Sequence, residues 1–174
     1  MIRLFIFLGF TSSLLASISQ KQLNTLQIVR DVAKTIPDYR NTTYENTLSA
    51  ICLTESSAGT HVIGDIENGL DLTKASLGAM QIQVNTARHI AKLTPSLNFL
   101  LDYSNKRLAS VLLTDIKISA RIAAHYLIRL KKNRKKYFNM ISGYNGGWSN
   151  RPYFSRVMKN FKFVKKLVKQ GKLQ

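Results

Sequence analysis

Cysteine is nearly absent from this 174-residue chain: Cys52 stands alone, so neither an intramolecular disulfide nor a cysteine-based zinc site can form. Histidine is almost as scarce. His61, His89 and His125 are scattered, with no paired helical spacing and no carboxylate placed to complete a metal triad. No metal and no cofactor is therefore expected. Uncharged apolar runs of the roughly 20 residues that cross a bilayer are also missing. Repeats and low-complexity linkers are missing too, which leaves no boundary between two domains. Acid is missing in a patterned way. Residues 1 to 115 hold all nine acids and ten bases, whereas residues 116 to 174 hold sixteen bases and no acid. The formal charge of +17 thus sits mainly on the C-terminal third, which is predicted to seek an anionic partner.

What is present is enough for one core. A composition that is 45% hydrophobic and 20% charged excludes a disordered tail or a coiled-coil rod. The first residues carry one positive charge at Arg3, an apolar stretch Leu4–Phe10 and small residues to Ser17. This order predicts a secretory signal over 1–19, cut between Ala16 and Gln20. The rest, 20–174, is predicted to be a single mostly α domain with no transmembrane segment, placed in the periplasm or secreted.

Helical periodicity supports that fold class. Leu23, Leu26, Val29 and Val32 predict an opening amphipathic helix that ends before Pro37. Tyr44, Leu48, Ile51 and Cys52 predict a second, stopped at Ser56-Ser57-Ala58-Gly59, where Gly59 suits a C-terminal cap. Residues 60–76 have no usable period and are expected to form a long loop, of the kind that is usually functional. Ile116, Ala120, Ala123, Leu127 and Leu130 line a long helix. Val157, Phe161, Val164 and Val168 line another that begins at Pro152. No segment alternates as a strand.

On the second helix, 100° per residue places Glu55 within the stripe of Tyr44, Leu48 and Ile51. A carboxylate there loses water and meets the negative end of the helix dipole, and both effects favour its protonated form. Such a group is a candidate general acid. Two further clusters, Gly78-Ala79-Met80-Gln81-Ile82 and Gly143-Tyr144-Asn145-Gly146-Gly147, combine amides, a phenol and a soft thioether. Amides and phenols pair with hydroxyl and acetamido groups while flat or soft side chains cover sugar faces. Both clusters are therefore candidate walls of a carbohydrate cleft.

In the order Glu55-Ser56, Gly78-Ala79-Met80-Gln81-Ile82 and Tyr144-Asn145-Gly146-Gly147, the chain resembles the soluble lytic transglycosylase family over about residues 40–165. Ala79 and Gly143 stand where that family usually has leucine and alanine. The resemblance implies a lysozyme-like helical domain that cleaves the β-1,4 bond between N-acetylmuramic acid and N-acetylglucosamine in peptidoglycan glycan strands, leaving a 1,6-anhydro product. It assigns catalysis to Glu55. It also implies that Tyr144 bonds near Glu55, that Gln81 and Asn145 bind sugar polar groups, that Met80 packs on a ring, and that Ser56 reaches the N-acetyl region. The setting it implies is remodelling of the wall, or opening of the wall for a secretion or conjugation apparatus that would then be a partner.

Two rival readings stay open at this point. Hydrolytic muramidases ordinarily need a second carboxylate, and Asp65, Glu67 and Asp71 are the candidates on the long loop. A basic cell-envelope or nucleic-acid binder would use Lys131, Lys132, Arg134, Lys135 and Lys136 with Tyr137 and Phe138, together with the lysines of the final helix. Export removes the chain from most nucleic acid, so no nucleic-acid partner is expected. Attraction to anionic polymer or lipid headgroups is the accessory role this charge suits.

Overall fold

The computed structural model describes residues 18–64 and 71–174. The predicted signal segment lies outside them but for its last two residues, and so do Asp65 and Glu67 of the long loop. The chain order is α1 (Gln20–Lys34), α2 (Glu45–Ser56), β1 (Ile63–Gly64), β2 (Ser76–Leu77), α3 (Val84–Leu93), a 3-10 segment (Pro95–Asp102), α4 (Asn105–Thr114), α5 (Ile116–Arg134), α6 (Tyr137–Tyr144) and α7 (Arg151–Lys169). The fold is mostly α, as the periodicity predicts. Among the described residues no helix is long and apolar enough to cross a membrane.

Helix α1 opens with a capping box. The Ser19 hydroxyl accepts from Gln22 N while the Gln22 side chain accepts from Ser19 N, which satisfies two backbone donors at once. Helix α2 is the centre of the molecule. Leu48, Ser49, Ala50, Ile51 and Cys52 are all fully buried, the mark of a helix enclosed on every side rather than of one lying on a surface. It packs along α1 and α7. The nearly invisible Arg30 side chain, 3% exposed, donates to Asn46 Oδ1 at 2.7 Å and to the Gln174 carbonyl at 2.8 Å. A buried guanidinium needs such acceptors, and here they join α1 to α2 and to the end of the chain.

The absence of strands is corrected in one place. β1 and β2 pair antiparallel, with Ile63 opposite Leu77 and Gly64 opposite Ser76. Two-residue strands are too short to alternate visibly, which is why the sequence hides them. Beyond β2 the chain turns sharply: Leu77 N donates to Ile82 O at 3.1 Å and Ile82 N to Leu77 O at 3.0 Å. Gly78 has φ +72°, and a β-carbon on it would lie 2.0 Å from the Leu112 carbonyl oxygen. Glycine is therefore required twice over, by conformation and by the backbone of α4.

Candidate active site

Helix α2 ends in three successive residues with positive φ, Ser57, Ala58 and Gly59, so the αL cap expected at Gly59 already begins at Ser57. Glu55 stands in the last turn before this stop. Its side chain is half-buried and lines a cleft of about 410 Å³ together with Ser76, Gln81, Tyr126, Tyr144 and Asn145. That volume falls in the range of small-ligand sites, about 300–1,000 Å³. Among the described residues, Glu55 is the only carboxylate on the lining.

One partner of Glu55 is Tyr153, whose hydroxyl donates to Glu55 Oε1 in a short hydrogen bond. Tyr153 is 1% exposed and sits in the first turn of α7. Asn150 caps that turn by accepting from Tyr153 N at 3.0 Å. Beside it, Asn160 Nδ2 donates to Thr54 Oγ1 at 2.9 Å, so α7 grips the last turn of α2 at two points. Burial and the nearby Glu55 charge push the Tyr153 phenol far above its ordinary value.

Tyr144 lies on the same cleft lining as Glu55. Its hydroxyl donates to the Met80 carbonyl at 2.9 Å, not to Glu55, and its ring packs tilted against Tyr126 with centroids 5.5 Å apart. The two rings form one aromatic side of the cleft, and Tyr126 completes it by donating to the Gly143 carbonyl at 3.1 Å. Burial, and then Glu55, raise the Tyr144 phenol well above its usual range. Tyr144 thus ties the Met80 backbone to α6 while lining the cleft next to the carboxylate.

Two further expectations are corrected. Ser56 is 1% exposed and does not face the cleft. Its hydroxyl lies 2.7 Å from the Ala79 carbonyl and 3.1 Å from that of Cys52, and it accepts from Gly59 N at 2.8 Å. It is a clasp between the end of α2 and the Gly78–Gln81 turn, with its one proton already given to backbone carbonyls. Met80 is fully buried and belongs to the core, so its thioether covers no sugar. The turn lends the cleft Gln81 instead. Gln81 adopts φ +48° and its amide nitrogen donates to the Gly78 carbonyl at 2.9 Å, which fixes the side chain on the cleft wall.

Asn145 is exposed on the cleft lining, its Oδ1 accepting from Asn150 Nδ2 at 3.0 Å. The turn that carries it has its own brace. Arg134, at the end of α5, donates to the Gly147 and Asn139 carbonyls and stacks its guanidinium 4.9 Å from the centroid of Trp148. A β-carbon on Gly143 would lie 2.7 Å from the Arg134 guanidinium carbon. The missing methyl at Gly143 makes the room that this arginine fills.

Asp71, the described member of the three loop acids, bonds to Thr73 and pairs with Lys74 at 3.7 Å. It is not on the cleft lining. Among the described residues no three histidine, cysteine, aspartate or glutamate side chains are grouped to hold a metal ion. Tyr153 and Tyr126 are the site residues that the sequence reading missed. The available signal for Tyr153 was its place on the apolar stripe with Val157 and Val164, since a buried phenol needs an acceptor.

Compared with known proteins, residues 36–165 match the family described as the transglycosylase SLT domain. Neither a curated protein nor a solved structure matches.

Proposed function

The chain belongs to the transglycosylase SLT family, and from that premise we propose that it is a peptidoglycan lytic transglycosylase whose single acid–base group is Glu55. The observation that carries this reading is the lone cleft carboxylate of the described residues, held from behind by Tyr153. A glycan strand lying in the cleft would meet the Tyr126 and Tyr144 rings on one side and the Gln81 amide on another. Asn145, whose oxygen is already engaged by Asn150, offers its amide nitrogen to a sugar oxygen.

One carboxyl group suffices for the reaction. Protonated Glu55 gives its proton to the oxygen bridging N-acetylmuramic acid and N-acetylglucosamine as the bond from that oxygen to the anomeric carbon breaks. The resulting carboxylate takes the proton of the muramic 6-hydroxyl while that oxygen bonds to the same carbon. A 1,6-anhydro ring forms, and Glu55 ends the cycle protonated. The nucleophile belongs to the substrate, so proximity within one sugar does what a second carboxylate and a positioned water do in a hydrolase. The Tyr153 hydroxyl serves the carboxylate half of the cycle. It supplies a fixed donor at the moment the charge exists.

The apolar segment and small residues of 1–19 support export, and with it a place in the cell envelope where the substrate lies. Mass spectrometry of digested peptidoglycan tests the reading. Anhydromuramic ends are the expected product, and reducing muramic ends in their place would transfer the assignment to hydrolysis.

A further inference from the structure

Helix α7 has two faces with different partners. Tyr153, Val157, Val164 and Leu167 are buried against the core. On the opposite side, Arg156, Lys159, Lys162, Phe163, Lys166 and Lys169 are all exposed. At 3.6 residues per turn these six fall within one arc about 140° wide and extend for about 20 Å along the axis. Lys74 pairs with Asp71 elsewhere in the fold, and no carboxylate of a described residue pairs with this stripe. The helix has no acid of its own, and neither does anything after Asp115.

Selection for solubility alone does not explain the stripe. Solvated faces ordinarily mix both signs of charge, and Phe163, 38% exposed, stands within the arc between Lys159 and Arg156 in angle. We propose that this face of α7 lies flat on a bilayer surface bearing anionic phospholipid headgroups. The cations face the phosphates and Phe163 enters the interfacial layer between them. A polyanion in solution would use the lysines but would gain little from the phenyl ring. A planar surface uses both. The first turn of the same helix holds Glu55 through Tyr153, so the helix that rests on the bilayer also sets the position of the cleft above it. This inference stands independently of the reaction assigned to Glu55.

The test is sedimentation of the full chain with phosphatidylcholine vesicles and with vesicles in which one-third of the lipid is phosphatidylglycerol. What residues 1–17 contribute by hydrophobicity is common to both, so the difference reports the charge. Binding to the anionic vesicles is expected to be at least tenfold tighter. The variant Lys159→Gln/Lys162→Gln/Lys166→Gln/Lys169→Gln should lose most of that difference. A charge-matched variant elsewhere, Lys21→Gln/Lys34→Gln/Lys92→Gln/Lys106→Gln, should retain it. Phe163→Ser should weaken vesicle binding severalfold while leaving binding to inorganic polyphosphate unchanged. Equal losses in the two quadruple variants would overturn the proposal in favour of overall charge. Indifference of vesicle binding to Phe163→Ser would overturn it in favour of a soluble polyanion. Circular dichroism of each variant confirms that the helix remains.

Discussion

The Tyr153 hydroxyl donates to Glu55 Oε1 across 98 residues of chain, joining the first turn of α7 to the last turn of α2. Both groups are held by helices packed side by side over the core, with Asn160 and Thr54 bonded next to them. The carboxylate is therefore aimed by two helices packed against each other, not by a loop. Such placement limits the motion of an acid that must reach two oxygens in turn.

Replacing Tyr153 by phenylalanine keeps the ring and removes the donor. A hydrogen bond to a charged group contributes about 1.5–3 kcal/mol, so kcat is expected to fall roughly tenfold to a hundredfold, with KM for glycan strands little changed. Steady-state kinetics with circular dichroism check this. An unaltered kcat would mean that the phenol is only filling space.

Glu55→Gln retains shape and removes the proton. Release of anhydromuramic products is expected to drop by about 10²–10⁴-fold or more, while binding to isolated sacculi persists. Product masses and a pull-down assay read the two quantities separately. A variant that still turns over would leave the proposed cycle without its acid.

Ser56→Ala distinguishes a clasp from a sugar contact. Its removal strands the Ala79 carbonyl and Gly59 N–H in a buried setting, at about 1–3 kcal/mol, so Tm is expected to fall by several degrees with KM nearly unchanged. Calorimetry and kinetics on the same preparation decide. A raised KM at constant Tm would restore Ser56 to the cleft.

Gly143→Ala pushes a methyl group against the Arg134 guanidinium. Overpacking of this kind costs about 1–3 kcal/mol and should loosen the Gly147–Trp148 turn, visible in tryptophan fluorescence. In an Arg134→Ala background the same methyl has room. The two substitutions together should therefore be less harmful than their sum, and strict additivity in a double-mutant cycle would count against the brace.

Stability should be lost at alkaline pH. Burial raises the Tyr144 and Tyr153 phenols above their ordinary value of 10 and pushes the Cys52 thiol up to about 12. Above pH 9–10 the unfolded chain releases these protons while the folded chain keeps them, so unfolding becomes progressively easier as pH rises. The stabilisation is fully present below the unfolded pKa values. Thermal unfolding followed from pH 7 to 11 should show Tm falling beyond about pH 9, with a shallower slope in Tyr153→Phe. Cys52 should remain unreactive to thiol reagents until the protein unfolds.

The sequence was most legible where one side of a helix faces the core and the other faces water. The stripes of α1, α5 and α7 follow from that alternation. Reading the short polar motifs was less reliable, because residue type does not say which atom of a side chain is already occupied. Ser56 and Met80 have chemistry suited to a sugar, yet one is consumed by three backbone groups and the other lies at 0% exposure. The two-residue strands β1 and β2 fall below any periodic signal, since alternation needs several residues to register.

Composition and periodicity alone determined a helical, strongly basic chain without disulfides and with a carboxylate on an apolar stripe, because those are properties of neighbours within a few turns. Tertiary packing decided which hydroxyl meets that carboxylate, which polar side chains reach the cleft, and that the α7 cations share one outward face. Hydrogen bonds are satisfied or left open only when distant segments meet at about 3 Å, and nothing local encodes that distance between residues 55 and 153.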